Sequence, residues 1–274
     1  MRTCFTRARQ LALGLALIAA LSLGACGGDN ESEQAGQPAE TSVDLINSGQ
    51  LTTCTHLPYE PFQFEQDGKI VGFDVDLVDL VAKRLGVRQE IVDTPFEGIQ
   101  SGEDLNSRKC DIAAAAMTIT PERAEKIDFS DPYFDANQAL LVKKGSGIDS
   151  FDDLAGETLG VQSGTTGKMY AEKEAAPKGV ELKDYEDLAL ELSSVKSGQI
   201  PAAINDIPVL LDYVKKNPEL EVAAQFETGE QYGFGMKKGT SRELRRGVNE
   251  VLAQAKSDGT YDRLYEKWFG TKPE

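Results

Sequence analysis

The residues with the clearest chemical meaning lie in the run Met-Thr-Ile-Thr-Pro-Glu-Arg, from Met117 to Arg123. Thr120 followed by Pro121 is typical of the N-cap and first residue of a helix, which places Arg123 in the first turn. A cation there opposes the positive end of the helix dipole, and local rules are often broken at functional sites. Together with the Thr118 hydroxyl, the guanidinium predicts a receptor for a carboxylate or a phosphate. The alternative is a surface arginine paired with a neighbouring acidic residue.

A second run with polar groups for an anion is Gln-Ser-Gly-Thr-Thr-Gly-Lys, from Gln162 to Lys168. It joins a predicted strand to a predicted helix, so backbone N–H groups and hydroxyls meet at a helix N-terminus. A P-loop is the rival interpretation. It fails because Gln162 stands where the first glycine is required, and because Met169 follows Lys168 in place of Ser or Thr.

The elements that must position these runs alternate along the chain. Hydrophobic periodicity and helix-boundary residues predict strands at 51–55, 88–92, 112–116, 158–161, 180–185 and 200–205, and helices at 73–85, 97–105, 167–176, 187–197 and 207–216. Such alternation predicts an α/β fold with parallel sheets covered by helices, and ligands at the C-terminal ends of the strands. Extended links near 138–143 and 232–237 suggest two lobes joined by two strands.

Several motifs in order resemble one family. The run from Met117 continues into Phe-Ser-Asp-Pro-Tyr-Phe, residues 129–134, and Gly-Phe-Asp-Val-Asp-Leu stands at 72–77. Both are similar to motifs of the bacterial extracellular solute-binding proteins of family 3, the polar amino-acid receptors of ABC importers. The resemblance implies a type 2 periplasmic-binding-protein fold, in which each of two lobes is a sheet flanked by helices and a two-strand hinge joins them. It implies one lobe from residues 42–137 and 235–274, and a second from 138–234.

The resemblance also implies how a ligand is held. It implies that the following aromatic, small, polar and charged residues contact the ligand: His56, Tyr59, Phe96, Ala116, Thr118, Arg123, Gln162, Thr165, Thr166 and Asp206. The α-carboxylate is expected to bind Arg123, Thr118 and the amides of Thr165 and Thr166. Asp206, in Ile-Asn-Asp at the end of a predicted strand, is expected to bind the α-ammonium. The alternative for Asp206 is a cap on the following helix, and it could do both.

Selection of the ligand side chain falls to the surrounding residues. Tyr59 and Phe96 resemble the aromatic plates on either side of the ligand, while Phe62 is assigned to the core. His56, the single histidine, stands where relatives that bind basic amino acids commonly carry Asp. Without that carboxylate a cationic side chain loses a partner, so a neutral polar or acidic amino acid is favoured over a basic one. Gln162 and Asn205 also fit a neutral polar ligand.

The N-terminus predicts export and lipidation. Residues 1–25 carry three arginines, no acid and an apolar run, and Leu-Gly-Ala precedes Cys26, which looks like the lipobox of a lipoprotein signal. A short transmembrane anchor is the alternative. Residues 26–41 lack apolar periodicity and are predicted to be a flexible tether between the lipid and the folded protein. The expected location is extracytoplasmic, at the cell membrane. Of the remaining cysteines, Cys54 and Cys110 could form a disulfide.

Composition excludes one class of partner and leaves others open. The chain has 45 acidic and 29 basic residues, so nucleic-acid binding is disfavoured. No spacing of His, Cys or acids predicts a metal or a cofactor, and no Ser-His-Asp arrangement is visible. We therefore predict a monomeric binding protein, with a membrane permease as partner, rather than an enzyme. A periplasmic dehydratase-like enzyme on the same scaffold and a ligand sensor are the alternatives.

Overall fold

The computed structural model describes residues 43–273. The predicted signal (1–25) and tether (26–41), with Cys26, lie outside the described residues. Within the described part of the chain, no helix is both long enough and apolar enough to cross a membrane.

Strands and helices alternate through most of the chain, as the sequence predicts. The strands are β1 (Gln50–Thr55), β2 (Phe64–Gln66), β3 (Lys69–Val71), β4 (Arg88–Asp93), β5 (Ile112–Ala113), β6 (Ile127–Phe129), β7 (Phe134–Lys143), β8 (Thr158–Gln162), β9 (Glu181–Tyr185), β10 (Ala202–Asp206), β11 (Leu220–Tyr232) and β12 (Gly235–Lys237). The helices are α1 (Phe73–Arg84), α2 (Phe96–Gln100), α3 (Glu103–Asn106), α4 (Pro121–Ala124), α5 (Thr166–Glu174), α6 (Leu188–Ser197), α7 (Ile207–Lys216), α8 (Arg242–Ser257) and α9 (Thr260–Phe269).

The larger strands form two five-stranded sheets. The first has the order β4-β1-β5-β12-β6, and the second β11-β7-β10-β8-β9. Helices α1, α8 and α9 pack together beside the first sheet, and α5, α6 and α7 pack on the second. The predicted two-lobed α/β fold is confirmed, with one sheet in each lobe.

Neither sheet is wholly parallel, so that part of the prediction is wrong. In the first sheet β1 is parallel to β4 and β5, but β12 is antiparallel to β5 and β6. In the second, β7 is antiparallel to both β10 and β11. β12 and β7 are the strands by which the chain enters each sheet directly from the other, without a helical crossover.

The chain crosses between the sheets twice. It leaves β6 and enters β7 over residues 130–133, and it returns from β11 to β12 through Gly233 and Phe234. The segment 138–143, predicted as a link, lies inside the second sheet and pairs with β10 and β11. The reason is its burial: the apolar run from Ala139 to Val142 is almost wholly inaccessible, as in a core strand.

Two predicted elements are shorter than expected, and each predicted range contains a residue with a positive φ angle. The helix predicted at 97–105 is divided into α2 and α3 by Gly102, whose φ is 79°. The strand predicted at 112–116 ends at Ala113, and Ala116 has a φ of 46°.

A disulfide joins Cys54 to Cys110, with 5.6 Å between the two Cα atoms. Cys54 lies in β1, where it pairs with Ala113 of the neighbouring strand β5.

Candidate functional site

One cavity brings together every residue predicted to contact a ligand. It lies beyond the C-terminal ends of β1, β8 and β10, which is where parallel strands present ligand groups. Its lining residues come from both lobes: His56, Tyr59, Gln63, Phe96, Ala115, Ala116, Thr118, Arg123, Gln162, Thr165, Thr166 and Asp206. Their contacts with a ligand stay predictions.

Arg123 is buried at this cavity, so its interpretation as a surface arginine is wrong. Thr120 caps α4, accepting a hydrogen bond from the Arg123 N–H at 3.2 Å, and Pro121 is in the first turn, as predicted. The guanidinium donates to the carbonyls of Thr118 at 2.7 Å and of Gly164 at 2.9 Å, and it lies over the Phe96 ring. Burial lowers the pKa of Arg123 to about 10, so it remains a cation at neutral pH.

The backbone of Ala116, in the cavity wall, is hydrogen-bonded to a buried acid on α1. Asp74 is fully buried and accepts hydrogen bonds from the Ala116 N–H at 2.9 Å and the Tyr133 hydroxyl at 2.7 Å. Burial raises the pKa of Asp74 to about 7. The sequence indicates Asp74 only as a first-turn acid of the helix. In the fold, it connects α1 to the cavity wall and to the first crossing between the sheets.

The second predicted anion site forms the N-terminus of α5. The Thr165 hydroxyl caps the helix, accepting from the Lys168 N–H at 3.1 Å, and Thr166 is the first helical residue. Lys168 forms an ion pair with Asp184 at 2.6 Å, whereas a P-loop lysine binds the phosphates of a nucleotide. The helix therefore presents its positive end and hydroxyl groups to the cavity, which suits a carboxylate.

Asp206 is the buried acid opposite these donors. Its carboxylate makes no capping bond to α7, so the capping interpretation is wrong. It accepts hydrogen bonds from Tyr59 at 2.7 Å, from Tyr232 and from Gln138. Burial, reinforced by the nearby charge of Glu230, raises the pKa of Asp206 to about 6. The group is mostly ionised at neutral pH and can accept from an ammonium.

The sequence analysis missed Gln63 and Ala115 in the cavity lining, and it missed two further polar residues next to the cavity. Gln138 on β7 and Glu230 on β11 lie beside the cavity, and Glu230 accepts hydrogen bonds from Gln138 at 3.0 Å, Thr118 at 3.2 Å and Thr166 at 2.9 Å. Thr118 follows a strand of the first sheet and Thr166 begins a helix on the second, so Glu230 bridges the two lobes. The available signal for Glu230 was an acid three residues before the Gly-Phe-Gly run at 233–235.

His56 and Gln162 line the same cavity, and each contacts a residue that does not line it. His56 Nδ1 lies 3.1 Å from the carbonyl oxygen of Thr94. The Gln162 side-chain oxygen faces Asn205 Nδ2 at 3.5 Å, and Asn205 also bonds to Glu191, a buried acid on α6. Among residues 43–273 there is no cluster of three His, Cys, Asp or Glu side chains suited to a metal ion.

A comparison with protein families matches residues 51–271 to the profile of the bacterial extracellular solute-binding proteins, family 3. The chain belongs to this family, which confirms the predicted resemblance. Relatives in sequence and in structure are named as amino-acid-binding proteins rather than enzymes, in agreement with the sequence-based prediction.

Curated relatives and solved structures support the same assignment. The arginine-binding extracellular protein ArtP of Bacillus subtilis is 31% identical over 95% of this chain and 98% of its own length. The L-cystine-binding protein TcyJ of Escherichia coli is 35% identical over 77% of this chain and 79% of its own length. An ancestral arginine-binding protein bound to arginine is 43% identical, with a TM-score of 0.76 over 81% of this chain and 99% of that one. The structure of such an ancestral protein bound to glutamine is 44% identical, with the same TM-score, and covers 81% and 98% of the two chains.

Proposed function

We propose that this chain is the extracytoplasmic receptor of an amino-acid ABC importer and binds a polar α-amino acid between its lobes. The observation that carries the proposal is a single cavity lined by two buried groups of opposite charge, Arg123 and Asp206. An α-amino acid carries its carboxylate and its ammonium on one carbon, so one ligand can reach both groups. Thr118 and the N-terminus of α5 add hydrogen-bond donors for the carboxylate.

The names of the relatives support this class of ligand. Receptors for arginine and cystine are similar to this chain in sequence over most of their length, and similar ancestral proteins were solved with arginine and with glutamine. A membrane permease is the partner that such a receptor serves.

For the ligand side chain, we propose a neutral polar or acidic group in preference to a basic one. No carboxylate stands at position 56, and neither His56 nor Gln162 brings a carboxylate to the cavity wall. The arginine-binding relatives are the strongest argument for the opposite preference, and the glutamine-bound ancestral structure shows that a carboxamide is accepted by a protein of similar sequence.

We further propose that the mature protein begins at Cys26 and is held at the outer face of the cell membrane by lipid on that residue. The support is the signal-like sequence of residues 1–25, which ends in small residues before the cysteine.

A thermal-shift screen of the protein without its first 25 residues, against the proteinogenic amino acids, tests the function. A ligand that binds only the folded state raises the melting temperature, by an amount that grows with its concentration relative to its Kd. We expect a rise with at least one polar amino acid and none with its deaminated analogue. No rise with any amino acid at millimolar concentration would contradict the proposal.

A further inference from the structure

We propose that Gln162 and His56 form a subsite for a side-chain carboxamide, and that Glu191 acts as a positioning residue which orients Gln162 through Asn205. This inference rests on the proposed function and names the ligand class more closely: an amino acid such as glutamine, whose side chain ends in an amide.

The orientation of Asn205 follows from its neighbours. Its oxygen accepts a hydrogen bond from the Asp206 N–H at 2.9 Å, which only the oxygen end of the amide can do. Its nitrogen therefore points the other way and donates to Glu191 Oε2 at 3.2 Å. Both acceptor and donor ends of the Asn205 amide are thus assigned, and the side chain is buried.

Asn205 in turn selects the orientation of Gln162. The Asn205 nitrogen is also 3.5 Å from the Gln162 oxygen, a long contact in which only the oxygen end of Gln162 is compatible with a donor. The Gln162 nitrogen is then the end available to the cavity that Gln162 lines. A ligand side chain that reaches Gln162 meets N–H donors and must offer an acceptor.

His56 presents the complementary group. A carbonyl oxygen can only accept, so the contact between His56 Nδ1 and the Thr94 oxygen places the ring proton on Nδ1. In the neutral ring Nε2 is then an acceptor. It is a buried atom, and the described residues give it no hydrogen-bond partner. A ligand side chain beside His56 gains by offering an N–H.

A carboxamide is the side-chain group that has both an acceptor and a donor. A guanidinium has donors only and would oppose the Gln162 N–H groups, whereas a carboxylate has acceptors only and would oppose the lone pair of His56. Burial raises the pKa of Glu191 to about 8, so this acid is largely neutral at pH 7 and adds little negative charge that could attract a cationic side chain.

Calorimetric titration with glutamine, glutamate, arginine and norvaline, which lacks a polar side-chain group, tests the subsite. We expect the wild type to bind glutamine about tenfold or more tightly than each of the others, the effect of about one well-made hydrogen bond. Tighter binding of arginine or glutamate than of glutamine overturns the subsite and leaves the receptor function standing. Failure of all amino acids to bind overturns the proposed function itself.

Substitution at Glu191 tests the positioning role. Glu191→Met should lower the glutamine affinity about tenfold and leave the norvaline affinity unchanged. Glu191→Gln keeps an acceptor for Asn205, so it should bind glutamine as tightly as the wild type does. Glu186→Met, at an exposed glutamate just before α6, is the control and should change neither. Equal losses for both ligands in Glu191→Met would assign Glu191 a purely structural role.

Gln162→Glu is an independent test that does not depend on the folding of the Glu191 variants. It replaces the N–H groups at the cavity with a carboxylate oxygen, so glutamine affinity should fall about tenfold and arginine affinity should rise. An unchanged order of ligands would overturn the assignment of Gln162.

Discussion

The hydroxyl of Tyr59 donates a hydrogen bond of 2.7 Å to Asp206, although 147 positions separate the two residues and they belong to different lobes. The sequence predicts Tyr59 as an aromatic wall for the ligand and Asp206 as the acceptor for its ammonium group. Because the tyrosine bonds to that same acid, the two roles are coupled. The charge state of Asp206 then affects both the ligand and the contact between the lobes.

Acidification should weaken ligand binding through Asp206. Burial raises its pKa in the folded protein to about 6, and the α-ammonium requires the ionised carboxylate. At pH 5 only about one-tenth of Asp206 remains ionised, so the Kd should be about tenfold higher than at pH 7. Calorimetry at the two pH values measures this change.

A stability argument and a control variant separate this effect from unfolding and from the titration of other acidic residues. A raised carboxyl pKa means that the folded protein binds the proton more tightly than the unfolded chain does, so the contribution of Asp206 to stability increases as pH falls through about 6. Protonation of Asp206 therefore does not itself destabilise the folded protein, and a loss of binding at pH 5 does not arise from unfolding caused by this residue. Asp206→Asn should bind weakly at both pH values, and an equal Kd for the wild type at pH 7 and pH 5 would contradict the assignment.

Removal of the Arg123 guanidinium should abolish binding of every amino acid. The ligand carboxylate would be buried without its charged partner, a loss of about 2–5 kcal/mol or more. Arg123→Lys should recover part of this, because it keeps the charge but lacks the fork that bonds to two acceptors at once. Arg84→Ala, at an exposed arginine paired with Glu250, is the matched control and should bind normally. Wild-type affinity in Arg123→Ala would exclude the carboxylate role.

Ala116→Gly should leave the protein as stable as the wild type or more stable. A residue with a side chain at a φ of 46° is strained, and glycine removes that strain at a cost in the entropy of the unfolded chain. The net gain should be about 0.5–1 kcal/mol in urea unfolding. Ala114→Gly, two residues earlier and buried without a positive φ, should instead lose stability. A loss in both variants would argue against strain at Ala116.

Cys26→Ser should move the protein from the membrane fraction to the soluble fraction of its host cells. The lipid would be attached through the cysteine sulfur, which serine lacks, and acyl chains supply the membrane affinity. Immunoblots of fractionated cells measure the distribution, with Ser32→Ala, in the same predicted tether, as the control. Wild-type distribution of Cys26→Ser would contradict the lipid anchor.

Local sequence was sufficient for much of this molecule. The Thr120-Pro121 cap, the alternation of apolar strands with amphipathic helices, and the Gly-Thr-Thr run before α5 all act over a few neighbouring residues, so they can be recognised without the fold. These features predicted the α/β class. With the family resemblance, they led to residues that all line one cavity.

The remaining contacts depend on chain segments that meet only after folding. Glu230 and Gln138 reach the cavity because β7 and β11 pair antiparallel. The sequences of these two strands contain no motif that predicts a ligand site. Asp74 and Glu191 look like ordinary helical acids, yet packing buries both of them and raises their pKa values. Which polar side chains lie beneath the site is set by strand pairing and helix packing over distances of tens to more than a hundred residues, and local periodicity carries no record of those distances.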